Sequence, residues 1–212
     1  MRKPREYDVI ALGIDQGIAN IGYAVTGLKD GKEVAIRSGT FTTTTKHEFP
    51  QRLEMIYGFI NELIGTYNVD VIGMEKLFFN PVQGKGRNKS ADIMRTNMVT
   101  GILFLLASQH RKPVFDYTPG TVKKYVAGHG HATKDDVIEH VKRLALSSGV
   151  TLTTDHEADA IAISLTALKQ YVEEMMRFAS GVEKPKKPKK LKTKVTVRMR
   201  TMGRKGVENY GE

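Results

Sequence analysis

Apolar positions along the chain change their period in a fixed order. Residues 7–15 (Tyr-Asp-Val-Ile-Ala-Leu-Gly-Ile-Asp) are almost continuously apolar and end in a carboxylate, which predicts a buried central strand. Residues 20–28 and 33–44 predict two more strands, and the Asp30-Gly31 pair between them is a hairpin turn signal. Leu53, Ile56, Phe59, Ile60, Leu63 and Ile64 recur at helical spacing, so an amphipathic helix is expected over 48–67. Residues 69–74 predict a short buried strand with Glu75 at its end. Residues 79–88 read as loop, because Asn80-Pro81 and the Gly84-Lys85-Gly86-Arg87 run preclude regular structure. A long helix is expected over 89–109, with Ile93, Met94, Met98, Ile102 and Leu105 on one side. A strand over 113–117 and a short helix over 119–126, opened by Pro119, follow. Residues 128–131 read as a turn. Thr133 with Asp136, and Thr154 with Glu157, have the capping-box spacing for helices over 134–147 and 155–178.

The order β-β-β-α-β-α-β-α-α-α predicts an α/β fold. Three antiparallel strands leading into a parallel βαβαβ run make a mixed five-stranded sheet with helices on both faces. Beyond Ser180 the Lys-Pro repeats of residues 184–190 exclude a packed core. A folded domain over 1–180 and a basic, disordered tail over 181–212 are therefore expected.

Charge changes this picture only when located. The formal net charge is +10, yet residues 183–205 hold eleven Lys or Arg against Glu183 alone. Residues 1–182 are nearly balanced, with 22 basic and 20 acidic side chains. The tail supports contact with a polyanion, against the plainer reading of a solubilising tail. On the body the clearest cluster is residues 76–112, with seven basic side chains against Asp92. There is no cysteine, which excludes disulfides and thiolate metal sites and fits a reducing compartment. No apolar run reaches the ~20 residues of a membrane span, and the N-terminus lacks a secretory apolar core, so a cytoplasmic protein without membrane contact is expected.

Candidate chemistry sits at the ends of the predicted elements. Asp15 ends one apolar strand and Glu75 another, and a carboxylate there needs solvent, a donor or a cation, since burying it unpaired is costly. Asp15 alone also reads as a turn residue capping the Gln16-Gly17 bend. Asp155, His156 and Asp159 share one side of the last helix. Asp155 has a structural explanation as a first-turn acid, and Glu157 as a capping-box partner. Asp159 lies more than one turn in, among small residues that let the helix approach a sheet, so it needs a counter-ion, either a metal or a core ion pair. Three carboxylates and an imidazole converging would bind divalent metal, and two such ions can hydrolyse a phosphodiester. Lys134 opens a helix, where its charge opposes the macrodipole unless an anion binds there.

These motifs resemble the RuvC family of Holliday junction resolvases, which have an RNase H-like fold. The resemblance covers about residues 8–170 and rests on Gly-Ile-Asp-x-Gly, Glu75-x-x-Phe78 and Ala-Asp-Ala-Ile-Ala-Ile. Tyr117-x-Pro119-x-x-Val122-Lys123 and Gly128-x-Gly130-x-Ala132-x-Lys134 add to it. It implies that Asp15, Glu75 and Asp159 are catalytic metal carboxylates and that His156, three residues before Asp159, is the fourth ligand, with a proton relay as its alternative role. Asp155 would then orient the imidazole or charge the site. The metal implied is Mg²⁺ or Mn²⁺, two ions to a site, in a structure-selective endodeoxyribonuclease that cuts branched DNA. Phe78 would stack on bases near the junction centre. Lys85, Arg87 and Lys89 are candidate phosphate contacts, as are Lys134 and, more weakly, Lys123 and Lys124. Two symmetric nicks imply a homodimer, for which Met94, Met98, Ile102 and Leu105 are the candidate interface. Gln16 stands where the family usually has Pro and is expected to alter turn rigidity, not chemistry. No residue pattern identifies a branch-migration helicase as partner. Competing readings are a flap- or fork-cutting nuclease, an actin-like nucleotide phosphotransferase, and a non-catalytic nucleic-acid-binding module. The phosphotransferase would need a second phosphate hairpin, which the sequence lacks.

Overall fold

The computed structural model describes residues 5–76 and 87–181, with backbone alone over 87–93. The elements follow the expected order: β1 (Val9–Asp15), β2 (Asn20–Lys29), β3 (Lys32–Thr42), α1 (Phe49–Thr66), β4 (Val71–Glu75), α2 (Arg87–His110), β5 (Val114–Tyr117), α3 (Pro119–Ala127), α4 (Lys134–Ser147) and α5 (Asp155–Ala179). The strands form one sheet in the order β3-β2-β1-β4-β5. β1 pairs antiparallel with β2 and parallel with β4, and β4 pairs parallel with β5. The Asp30-Gly31 turn has positive φ at both positions (51° and 73°), the geometry that makes a two-residue hairpin match strand twist. This is the mixed sheet expected of an RNase H-like fold.

Residue size alternates along the central strands, and that alternation decides which helix lies where. Ile10, Leu12 and Ile14 of β1, with Ile72 and Met74 of β4, join a core with Ile56, Ile60 and Ile64 of α1 and Val99, Leu103 and Leu106 of α2. The opposite face presents Ala11, Gly13, Val71 and Gly73, and α5 lies on it. A Cβ at Gly13 would stand 2.3 Å from the Ala160 carbonyl oxygen, and one at Gly73 2.9 Å from the Ala167 methyl. Ser164 locks this close approach: its hydroxyl donates to the Ala11 carbonyl (3.0 Å) and shares a 2.8 Å bond with Thr26. α3 and α4 complete the second layer through Val126, Val137 and Val141 against Ile161 and Leu165.

One expectation, at α5, needs correction, and the expected apolar stripe of α2 lies on its outer side. The core-facing stripe of α2 is Val99, Leu103, Leu106 and Ala107, while Met94, Met98 and Leu105 are exposed and Ile102 is partly buried. Apolar residues on both sides of α2 hid the phase of its buried stripe. At α5, Thr154 accepts from the Glu157 amide as expected, but Glu157 does not complete a capping box. Its buried carboxylate reaches past the N-cap to the Thr153 amide and hydroxyl. The box at Thr133 and Asp136 is present. Phe78, Lys85 and the basic tail lie outside the described residues, as do the side chains of Arg87, Lys89 and Ile93.

Candidate active site

Parallel pairing of β1 with β4 runs to Ile14 and Met74, so Asp15 and Glu75 leave the sheet side by side at its carboxyl edge. Such edges are where α/β sheets gather their chemistry. Asp15 pairs across β2 with Gly22, and the start of α5 crosses directly over that glycine. A Cβ at Gly22 would meet the His156 carbonyl oxygen at 2.2 Å. This missing side chain lowers α5 onto the sheet edge. Nδ1 of His156 then lies 2.7 Å from Oδ2 of Asp15. Asp159 follows one turn later and meets Lys134 Nζ at 3.8 Å.

The carboxylates near this edge feel one another's charge. Burial pushes the Glu75 carboxyl above the usual range, and the charges of Asp15 and Asp159 push it further. Burial likewise raises Asp159, against the Lys134 ammonium, with Asp15 and Asp155 adding to the rise. Burial is the leading cause for both, so the charged form of each carboxylate is incompletely compensated. A set of three carboxylates and an imidazole suits a hard or borderline divalent cation. The cluster is looser than a formed cage: among the described residues no three His, Asp or Glu side chains already stand as a metal-holding group. The Lys134 ammonium stands 3.8 Å from the Asp159 carboxylate, and the acidic groups at the start of its helix are Asp135 and Asp136.

Beside the carboxylates opens a cleft of about 320 Å³. Glu75, Asp159, Lys123 and Lys134 supply its polar rim, and Pro119, Val122, Val137, Ala162 and Ile163 its apolar wall. Lys123 and Lys134 thus reach the acidic cluster, whereas Lys124 borders a separate hollow with Tyr125, Lys169, Glu173 and Arg177. Asp155 is exposed and acts on the site as a charge felt by Asp159; the imidazole's partner is Asp15.

Sequence reasoning passed over two residues that shape the site from below. Gln16 was expected to affect only the turn, yet it is 8% exposed and its amide bonds both backbone groups of Glu75. Arg52 of α1 is buried, and its guanidinium donates to the Thr43 hydroxyl (2.8 Å) and the Ile18 carbonyl (3.0 Å). It thereby fixes the bend that follows Asp15. An arginine on the inward face of an otherwise apolar helical stripe was the available signal.

The family model described as crossover junction endodeoxyribonuclease RuvC matches residues 11–167. The RuvC protein of Clostridioides difficile (strain 630) is 37% identical over 157 residues, covering 74% of this chain and 88% of its own length. That of Alkaliphilus metalliredigens (strain QYMF) is 36% identical, covering 74% and 91%. Thermus thermophilus RuvC in complex with a Holliday junction substrate is 25% identical, with a TM-score of 0.65 over 79% of this chain and 96% of that one. No helix among the described residues is long and apolar enough to cross a membrane. By sequence and by architecture, the chain belongs to the RuvC family of crossover junction endodeoxyribonucleases.

Proposed function

We propose that this protein resolves four-way DNA junctions by hydrolysing one phosphodiester in each of two symmetry-related strands. The observation that carries the reading is the His156–Asp15 bond beside a cleft that Glu75 and Asp159 line and Lys123 and Lys134 rim. The three carboxylates and His156 would hold Mg²⁺ or Mn²⁺, two ions to a site, which supply Lewis-acid charge to activate water and offset the transition state.

The chain's own groups prepare that chemistry. Asp15 and Glu75 are fixed by adjacent strands, so their backbones carry no conformational freedom into the reaction. The bond to Asp15 orients His156 and decides which ring nitrogen faces outward. Lys134 has two anions to serve: it neutralises Asp159 in the free protein and is placed to take a DNA phosphate at the rim of the cleft. The apolar wall of Val122, Val137 and Ile163 excludes water behind the carboxylates, which strengthens every charge interaction in front of it.

Two matched cuts require two sites in fixed relation, which a two-fold dimer supplies. Met94, Met98, Phe104 and Leu105 are 45–61% exposed on the outer side of α2, and they are the face we assign to that interface. Mapping the nicks on each labelled strand of a synthetic four-way junction tests the reading. Cuts at equivalent positions on two opposed strands support it, and cuts confined to flaps or forks contradict it.

A further inference from the structure

β1 and β4 stop pairing through their backbones at Ile14 and Met74, one residue short of the two carboxylates they carry. A side chain takes over the ladder at that point. Nε2 of Gln16 donates to the Glu75 carbonyl at 2.6 Å, and Oε1 accepts from the Glu75 amide at 3.1 Å. The two bonds fix the amide's orientation, since its donor end faces the only acceptor and its acceptor end the only donor of that residue's backbone. The Gln16 side chain therefore stands in for one more residue of strand.

On its other edge Glu75 sits in register with Tyr117 of β5, and the next amide, Lys76, donates to the Tyr117 carbonyl at 2.8 Å. Glu75 is thus gripped from both sides at the point where β4 ends. Gln16 follows Asp15 directly, so the same amide ties the backbone of one carboxylate to the backbone of the other. Its burial excludes a direct role with DNA, because solvent reaches only 8% of its surface.

We infer that Gln16 is a positioning residue: its amide sets the separation and direction of the Asp15 and Glu75 carboxylates, and so the affinity of the site for divalent cation. The inference rests on the reading of these residues as metal ligands. A group one step removed from a metal typically controls its affinity by about 10-fold or more. Gln16→Met keeps the length and volume of the side chain and deletes both bonds. Gln16→Asn keeps the amide but shortens its reach by one carbon.

Mn²⁺ binding to the full-length protein, followed by titration calorimetry, separates this role from mere support of the fold. Both Gln16 variants should bind Mn²⁺ about 10-fold more weakly than wild type. Junction affinity without divalent metal should be unchanged in both. Ile64→Val, a loss of one methylene in the core beneath α1, serves as the control for general destabilisation and should bind Mn²⁺ as wild type does. Wild-type Mn²⁺ affinity in Gln16→Asn would overturn the inference, even if Gln16→Met failed to fold. Equal weakening in Ile64→Val and the Gln16 variants would also overturn it. A wild-type protein that binds no Mn²⁺ at all would remove the metal-site reading itself, and this inference with it.

Discussion

His156 and Asp15, 141 residues apart in the chain, share a 2.7 Å hydrogen bond between Nδ1 and Oδ2. Nothing local holds them together. Asp15 is placed by the pairing of β1 in the middle of the sheet, and His156 by the descent of α5 onto Gly22, the residue paired with Asp15 in β2. The site is therefore as precise as the packing of one helix on one glycine.

Gly22→Ala should test that dependence. The added methyl would meet the His156 carbonyl oxygen, a backbone atom that no rotamer change can move aside. Overpacking of this kind costs about 1–3 kcal/mol. Denaturant unfolding should show the loss, and junction cleavage should fall further than stability predicts because the His156–Asp15 bond is displaced. Cleavage that simply follows the folded fraction would argue against the coupling.

Glu75→Gln should make the metal-free protein more stable at neutral pH while abolishing cleavage. The Glu75 carboxyl is raised above its unfolded value by burial and by the Asp15 and Asp159 charges. Ionisation is therefore less favourable in the folded state. Wild type loses stability from this group as pH rises through the interval between the ordinary carboxylate value and the raised one. Asp136, lowered by its bonds from Thr133, runs the other way and loses its contribution as pH falls. The informative quantity is consequently the wild-type minus variant difference, followed by thermal melts from mildly acid to neutral pH. Adding Mn²⁺ should stabilise wild type more than Glu75→Gln, since only the former keeps the full set of ligands.

On the outer face of α2, Met98→Glu should leave the fold intact and separate the two copies. Met98 is 45% exposed, so the new carboxylate meets water in the monomer. In a dimer across this face it would be buried against Met94 and Leu105, at a cost of several kcal/mol. Light scattering should show the mass halved, and junctions should be nicked on one strand without the paired second cut. A dimer that persists would move the interface elsewhere.

Lys134→Gln should weaken junction binding and flatten its salt dependence. Removing one phosphate-neutralising cation reduces the slope of log affinity against log salt by about one. Filter binding at several salt concentrations reads this directly. An unchanged slope would assign Lys134 to Asp159 alone.

Most of the fold was legible because each element announces its ends. The apolar runs of β1 and β4 stop at Asp15 and Glu75, the Asp30-Gly31 pair makes its hairpin, and Thr133 caps α4. Asp15 and Glu75 stood out for the same reason, since a charge at the end of a buried run has few inexpensive explanations. Asp159 stood out as a carboxylate more than one turn into a helix of small residues, and His156 through the family resemblance. What stayed hidden depends on the third dimension. α2 carries apolar residues on both sides, so its pattern could not say that Val99 and Leu103 face the sheet while Met98 and Leu105 face out. Lys123 and Lys124 are neighbours in sequence, yet one borders the acidic cleft and the other a separate hollow. Gln16 read as a turn residue because the partner of its amide is a backbone 59 residues away.

Cleavage by Asp15→Asn tests the central claim most directly. Wild type and variant are incubated with end-labelled four-way junction and with linear duplex, each with and without Mg²⁺. Paired nicks should appear with wild type on the junction alone and only when Mg²⁺ is present, while Asp15→Asn binds the junction and leaves it whole. Cutting by Asp15→Asn at the wild-type rate, or by wild type in the absence of any divalent cation, would contradict the account.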